Sequence, residues 1–283
     1  MGDLFFKLLT QPMINTLAFL YHIIPDLGVG IILLTLIIKV ILFPLNWKSI
    51  KAQKEMKNIQ EKVNDIKARV TDKEKQAVEV MNLYKQEKVN PFSSCLPLVL
   101  QLVMLIALIN ALNGFMVGHI KVSGIVYQIK DTFYPFISNI VGTFNFNYIA
   151  FGFLDLTKKA TDNLQSITGI AGVLLAVIAG VAQFFQTKMM TPVTTPSNSN
   201  PTDKESQLTG ALNKQMLYIF PALTIWMGLS FVIGITLYWV VSTIFSIVQQ
   251  VIILDMHNKS SNKPKSDNTP TPDKKIIEIE KSN

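Results

Sequence analysis

Lys39 is the side chain in this sequence most open to a chemical reading. It lies in Leu27 to Trp47, LGVGIILLTLIIKVILFPLNW, where every residue from Ile31 to Leu42 is apolar except Thr35 and Lys39. A charge near the middle of a membrane span costs roughly 2.5–3.5 kcal/mol on insertion scales, so an ammonium there needs water, a partner or a purpose. Two readings stay open. In one, the butyl stem lies along lipid and the ammonium reaches the interface near Pro44. In the other, the charge serves function, as intramembrane ionisable groups generally do. Thr35 lies one helical turn before Lys39 on the same face. Gln101 interrupts a second apolar run, and Gln183 and Gln186, at i and i+3, interrupt a third. Carboxamides in such runs ordinarily bond between spans.

Other chemistries have little to build on. Cys95 is the only cysteine, which excludes an intramolecular disulfide and a cysteine-based metal site. His22, His119 and His257 are scattered without ligand spacing. No glycine-rich phosphate loop points to ATP use. The expectation is a protein without cofactor, metal or catalytic residues, and without DNA as a partner. Cys95 reads as a small helix-packing residue.

The elements that must position Lys39 follow from hydropathy. The chain has 283 residues, 49% hydrophobic and 16% charged, with a net charge of +7 and a mean hydropathy of +0.34. That is the composition of a polytopic membrane protein. Residues 1–26 place Lys7, Gln11, Asn15 and His22 on one helical face and read as an amphipathic helix lying in the interface. A first span over 27–47 precedes a charged segment, 48–90. There Ala52, Met56, Ile59, Val63, Ile66 and Val70 recur at alternating spacings of four and three, a heptad seam. Thr71-Asp72-Lys73-Glu74 fits a capping box that starts a second arm, with Ala77, Met81 and Tyr84 as its stripe. The segment reads as an antiparallel helical hairpin. A second span covers 91–115, an external loop 116–166, and a third span 167–188. A flexible Thr/Pro/Ser/Asn-rich loop covers 189–212. The long apolar run that follows divides into spans at 213–231 and 232–255, and 256–283 reads as a disordered tail. The fold class expected is an all-α membrane protein of five transmembrane helices, with an interfacial N-terminal helix and a cytoplasmic helical hairpin. With the N-terminus outside and the C-terminus in the cytoplasm, about 20 of the 26 Lys and Arg fall on the cytoplasmic side.

Several stretches carry a resemblance to a known family. They are Thr-Gln-Pro at 10–12, IILLTLIIKVILFPL in the first span, LYKQEKVNPFSSCLPLVLQL at 83–102, FLDL at 153–156, QFFQTKMM at 183–190 and LYWVVSTIFSIVQQ at 237–250. In that order, with a charged hairpin between the first two spans, the chain resembles the YidC/Oxa/Albino membrane protein insertases. With no large segment before Leu27, it looks like the short bacterial form without the large periplasmic domain. The resemblance implies a five-span bundle in the bacterial plasma membrane, with a hydrophilic groove open to cytoplasm and lipid. Its clients would be nascent membrane proteins, inserted alone or beside the Sec translocon, with the ribosome a further contact of the hairpin or tail. It implies groove roles for Lys39, Thr35, Gln101, Gln183 and Gln186, and apolar client contacts for Tyr238 and Trp239. Lys39 stands where the family usually carries Arg. Phe231-Val232-Ile233-Gly234 stands where Phe-Pro-Ala/Ser-Gly is common, and Val103 where Pro often follows the second-span Gln.

Two other functions stay on the table. A small-solute or ion transporter also places a charge inside a span, but such proteins usually show internal repeats and several midplane polar groups. An intramembrane Ser/Lys protease would need a serine within hydrogen-bond reach of Lys39.

Overall fold

The computed structural model describes residues 2–90, 96–122, 125–141, 146–190 and 204–261. Cys95, the first residues of the expected second span, most of the 189–212 loop and most of the tail lie outside the described residues. The chain is overwhelmingly helical. Short helix α1 (Gly2–Phe5) runs through a π turn (Phe6–Thr10) into α2 (Gln11–Ile23). Then come α3 (Leu27–Ile41), α4 (Phe43–Asn58), α5 (Gln60–Arg69) and α6 (Lys73–Gln86). Helix α7 (Leu96–Val117) leads into the antiparallel strands β1 (His119–Val122) and β2 (Ile125–Gln128). After α8 (Pro135–Val141), the two-residue strands β3 (Ile149–Ala150) and β4 (Leu154–Asp155) pair antiparallel. The long helices α9 (Ile167–Met190), α10 (Lys204–Ser230) and α11 (Ile233–Ser261) complete the chain.

Among the described residues, three helical stretches are long and apolar enough to cross a bilayer: Val99–Val117, Ile167–Met189 and Ile233–Met256. Helices α3 and α4 meet at a 64° bend and would together supply a fourth. The apolar part of α10, Leu217–Ser230, is about 21 Å long at 1.5 Å per residue, short of a roughly 30 Å core. The bend falls at Leu42, before Pro44. Proline lacks the N–H that would bond back one turn and is tolerated in a first turn, so the chain restarts there as α4. The first apolar segment is thus interrupted five residues before the expected boundary at Trp47. Helix α10 begins at Lys204, so part of the expected 189–212 loop is helical.

Small residues let α9 and its neighbours approach closely. A Cβ added at Gly172 would lie 2.8 Å from the Ala160 Cβ and 2.9 Å from Ile233 Cδ1, and one at Gly180 would collide with Ile225. With the buried Ala176 between them, these two glycines make a run of small residues four apart on α9, the spacing by which membrane helices bring backbones together. At the end of the bundle away from the hairpin, the α10–α11 corner is tied to the loop. Ile233 N–H donates to the Lys158 carbonyl at 2.8 Å, and Gly234 N–H to that of Leu156 at 3.1 Å. Asp26 joins the same end. It caps α3 by accepting from Val29 N–H at 3.1 Å and from Phe151 N–H at 2.6 Å, holding Phe151 at the left-handed φ of 54°.

The N-terminal helix departs from the amphipathic expectation. Lys7 and His22 are exposed, but Asn15 is buried and Gln11 half-buried. The Gln11 and Asn15 amides both donate to the Thr132 carbonyl, at 3.0 Å each, and Asn15 Oδ1 accepts from Tyr134 N–H at 2.6 Å. That side of α2 therefore docks on the 129–134 segment. Next to it, Tyr127 donates to Asp3 at 2.7 Å and stacks on Phe6 with ring centroids 4.0 Å apart.

Helices α5 and α6 form an antiparallel hairpin. Ile59 and Val63 of the seam are buried. Its start is capped by Asp72, not Thr71: Asp72 accepts from Glu74 N–H at 3.0 Å. The stripe on α6 is also rotated from the expected one. Ala77 and Met81 are exposed, while Val80, Leu83 and Tyr84 are half-buried. Gln76 sets that phase by donating to the carbonyls of Lys67 at 2.9 Å and Val70 at 3.0 Å. The ion pairs Lys62–Glu87 and Arg69–Glu79 cross the outside.

Candidate functional site

Three helices converge on Lys39. On α3 it lies 12 residues past Leu27, about 18 Å along the axis. It is 8% exposed. Its Nζ donates to Gln101 Oε1 on α7 at 3.1 Å and to Ser246 Oγ on α11 at 2.9 Å. Both acceptors are neutral, so these bonds orient the ammonium without cancelling its charge. The second lone pair of Gln101 Oε1 is used as well, because Ser242 Oγ donates to it at 2.9 Å. Ser246 Oγ in turn donates to the Ser242 carbonyl at 2.8 Å. Tyr238, buried one turn before Ser242 on α11, lies beside the Ser242 and Gln101 side chains. Tyr238, Ser242 and Ser246 stand at i, i+4 and i+8, so α11 presents one polar strip along an otherwise apolar helix.

The Lys39 side chain thus points into the bundle, not along lipid. Thr35, one turn earlier and buried, bonds back to the Ile31 carbonyl at 2.6 Å. Its hydroxyl is thereby used within α3. Gln183 donates to Thr187 Oγ1 at 3.3 Å within α9, and the hydrogen bonds around Lys39 involve neither it nor Gln186. Trp239 is half-buried and packs on the hydrophobic core beside Tyr238. Of the seven residues singled out from sequence, Lys39, Gln101 and Tyr238 thus share one cluster.

Ser242 and Ser246 are the members that the sequence did not single out as a site. A serine in an apolar helix ordinarily satisfies itself by bonding back one turn, as Ser246 does, so its type carries little signal. The i, i+4, i+8 spacing from Tyr238 is the one clue available before the structure.

Comparison with known proteins follows the same lines. A family model described as 60Kd inner membrane protein matches residues 19–261. The chain is similar to the Membrane protein insertase YidC of Geotalea daltonii, 30% identical over 249 residues, which is 88% of this chain and 37% of that protein. It is 31% identical to that of Geotalea uraniireducens over 249 residues, 88% of this chain and 38% of the relative. For Endomicrobium trichonymphae the figures are 27% over 251 residues, 88% and 40%. The chain therefore spans less than half the length of these curated relatives. An apolar helical chain matched by this model over most of its length, with an inward-facing ammonium in its first apolar helix, belongs to the 60Kd inner membrane protein family and is an integral protein of a bacterial membrane.

Proposed function

We propose that this protein is an insertase that helps small membrane proteins enter the bilayer, with Lys39 as the charge that draws the polar flank of a client part-way into the lipid. The observation that carries this reading is the Lys39 ammonium itself, turned into the bundle and held, among the described residues, by neutral acceptors on α7 and α11. Dragging a polar segment through hydrocarbon leaves backbone groups unpaired at several kcal/mol each. A hydrated groove beside Lys39 shortens that path. An acidic residue about 4 Å from the ammonium gains about 4 kcal/mol at an effective dielectric near 20, and far less if water fills the groove. The step needs no ATP, because the client's apolar segment supplies the driving force on reaching lipid.

The topology belongs to the same proposal. Five spans are counted when the α3–α4 pair and α10 each cross. The N-terminus lies outside and the hairpin and C-terminus in the cytoplasm, which puts most Lys and Arg inside. The hairpin then receives the client, and the ribosome or Sec translocon dock on that side. Gln183, Gln186 and Trp239 line the groove as exchangeable polar and apolar contacts, while Thr35, its hydroxyl bonded within α3, shapes the wall beside Lys39.

The test is insertion of a small client with an acidic outer segment into proteoliposomes of the full chain. Lys39→Leu is expected to lower insertion on the order of tenfold, the factor that about 1.4 kcal/mol converts to, and Lys39→Arg to retain it. Equal insertion by all three proteins removes Lys39 from the mechanism.

The Lys39–Ser246 contact also supplies the serine that an intramembrane protease would require. Its hydrogen bond runs the other way, however. The ammonium donates to Ser246, and Ser246 donates onward to a carbonyl, whereas a general base must accept the serine proton. Recovery of a cleaved client from the same proteoliposomes would favour that reading.

A further inference from the structure

At the end of the bundle away from α5 and α6, a tight hairpin holds two phenylalanines in the open. Strands β3 and β4 are joined through Phe151-Gly152-Phe153. Phe153 N–H donates to the Ala150 carbonyl at 3.2 Å. This closes a turn whose two central residues, Phe151 and Gly152, both have positive φ, 54° and 79°. Turns of that sign pattern ordinarily take Asn, Asp or Gly at the first central position, because a Cβ there crowds the backbone. A phenylalanine is therefore a poor choice for the turn itself. Neither ring fills the core, since Phe151 is 42% exposed and Phe153 48%. An unfavourable backbone conformation held in place by its surroundings points to a use for the side chain.

The surroundings also fix the height of the tip. Asp26, the cap of α3, accepts from Phe151 N–H at 2.6 Å. Thr168 Oγ1, in the first turn of α9, donates to the Phe153 carbonyl at 2.9 Å. The two rings are thus tied to the first residues of two apolar helices, one of which begins a stretch long enough to cross a bilayer at Ile167. Where such a stretch begins, hydrocarbon gives way to headgroups. The neighbouring exposed side chains match that boundary. Ile149 and Leu164 are apolar, and Ile167, Ile170 and Leu174 carry an exposed apolar stripe along α9. Lys158 and Lys159, also exposed, follow the hairpin in the chain and offer cations to lipid phosphates. Aromatic rings and lysines are the side chains that settle at this level, the ring against acyl chains and the ammonium among headgroups.

We propose that the Phe151–Phe153 tip is a lipid wedge, inserted into phospholipid at the boundary between headgroups and acyl chains, which fixes how deeply this end of the bundle sits. The hydrogen bonds to Asp26 and Thr168 pass that depth on to α3 and α9. The wedge goes beyond the insertase reading and does not depend on it.

The test uses the full chain carrying Cys95→Ala in phosphatidylethanolamine/phosphatidylglycerol vesicles. A nitroxide is attached at Phe153→Cys, and for reference at Glu74→Cys in the charged hairpin and at Leu174→Cys on the exposed stripe of α9. Depth is read from collisions with oxygen, which collects in lipid, and with a water-soluble nickel chelate. An apolar group seated in the interface should collide with the chelate about fivefold less often at position 153 than at position 74. Its oxygen-to-chelate ratio should fall between those of positions 74 and 174. Chelate collision at 153 equal to that at 74 puts the rings in water and overturns the proposal. Exclusion of both reagents means that protein covers the tip, and overturns it as well. If Phe153→Cys melts early, the unaltered chain decides. A phospholipid with a diazirine beside its glycerol should then label residues 151–153, and labelling of α9 without any adduct at the tip refutes the wedge.

Discussion

Removing Gln101 and removing Lys39 should have opposite consequences for stability, although each deletes one end of the same hydrogen bond. In Gln101→Leu the ammonium loses its 3.1 Å acceptor and keeps only Ser246, while Ser242 loses its 2.9 Å acceptor. A hydrogen bond to a charged group is worth about 1.5–3 kcal/mol, and leaving a buried donor unpaired costs about 1–3 kcal/mol. Together these put the destabilisation near 3 kcal/mol. In Lys39→Leu the remaining groups stay partnered, because Gln101 Oε1 still accepts from Ser242, and Ser246 Oγ still donates to the Ser242 carbonyl. The variant also escapes the several kcal/mol that burying an ion costs. Its stability is therefore expected to match or exceed that of the unaltered protein. The double variant should recover about 2 kcal/mol of the Gln101→Leu loss, a coupling well above the 0.3–0.5 kcal/mol scatter of independent sites. Denaturant titration in mild detergent, followed by tryptophan fluorescence, measures all four corners of the cycle. Additive effects would refute the view that Gln101 is there to satisfy the ammonium.

Two further outcomes test the end of the molecule away from the hairpin. Hydrogen bonding from Tyr127, then from Lys7, holds the exposed Asp3 carboxyl below its ordinary 3.8. Its contribution to docking the N-terminal helix is present in full above 3.8 and is lost as pH falls through the lowered folded value. Hydrogen–deuterium exchange over residues 2–23 should show protection falling in that acid range, and Tyr127→Phe should reduce protection at pH 7 and flatten its pH dependence. An unchanged profile in the variant would show that the contact does not hold the helix. Gly28→Ala would place a Cβ 2.5 Å from the Ala150 Cβ and 3.1 Å from the Phe151 ring. The overpacking should cost about 1–3 kcal/mol, read as a lower Tm, whereas Gly118→Ala, at a positive φ with open space around it, strains only its own backbone.

What could be read before folding was the part governed by local composition. An apolar run long enough to cross a bilayer announces itself, and a single lysine or glutamine within it stands out because the solvent there offers nothing to bond. Lys39, Gln101 and the heptad seam through Ile59 and Val63 were visible for that reason. Which partner satisfies each polar group was not visible. Asn15 looks like a solvent-facing residue until a segment 117 residues away presents the Thr132 carbonyl to it. Ala77 and Met81 look like a seam until Gln76 bonds to the preceding arm and turns α6.

The same division holds at the candidate site. The amino-acid order by itself determined that a charge would lie inside the membrane-like part of the chain, because hydropathy is a property of neighbours in sequence. Only the tertiary structure decided that the charge would face inward and that Gln101 and Ser246, 62 and 207 residues away, would hold it. Hydrogen bonds act over about 3 Å, and only the packing of α3, α7 and α11 brings those atoms within that reach.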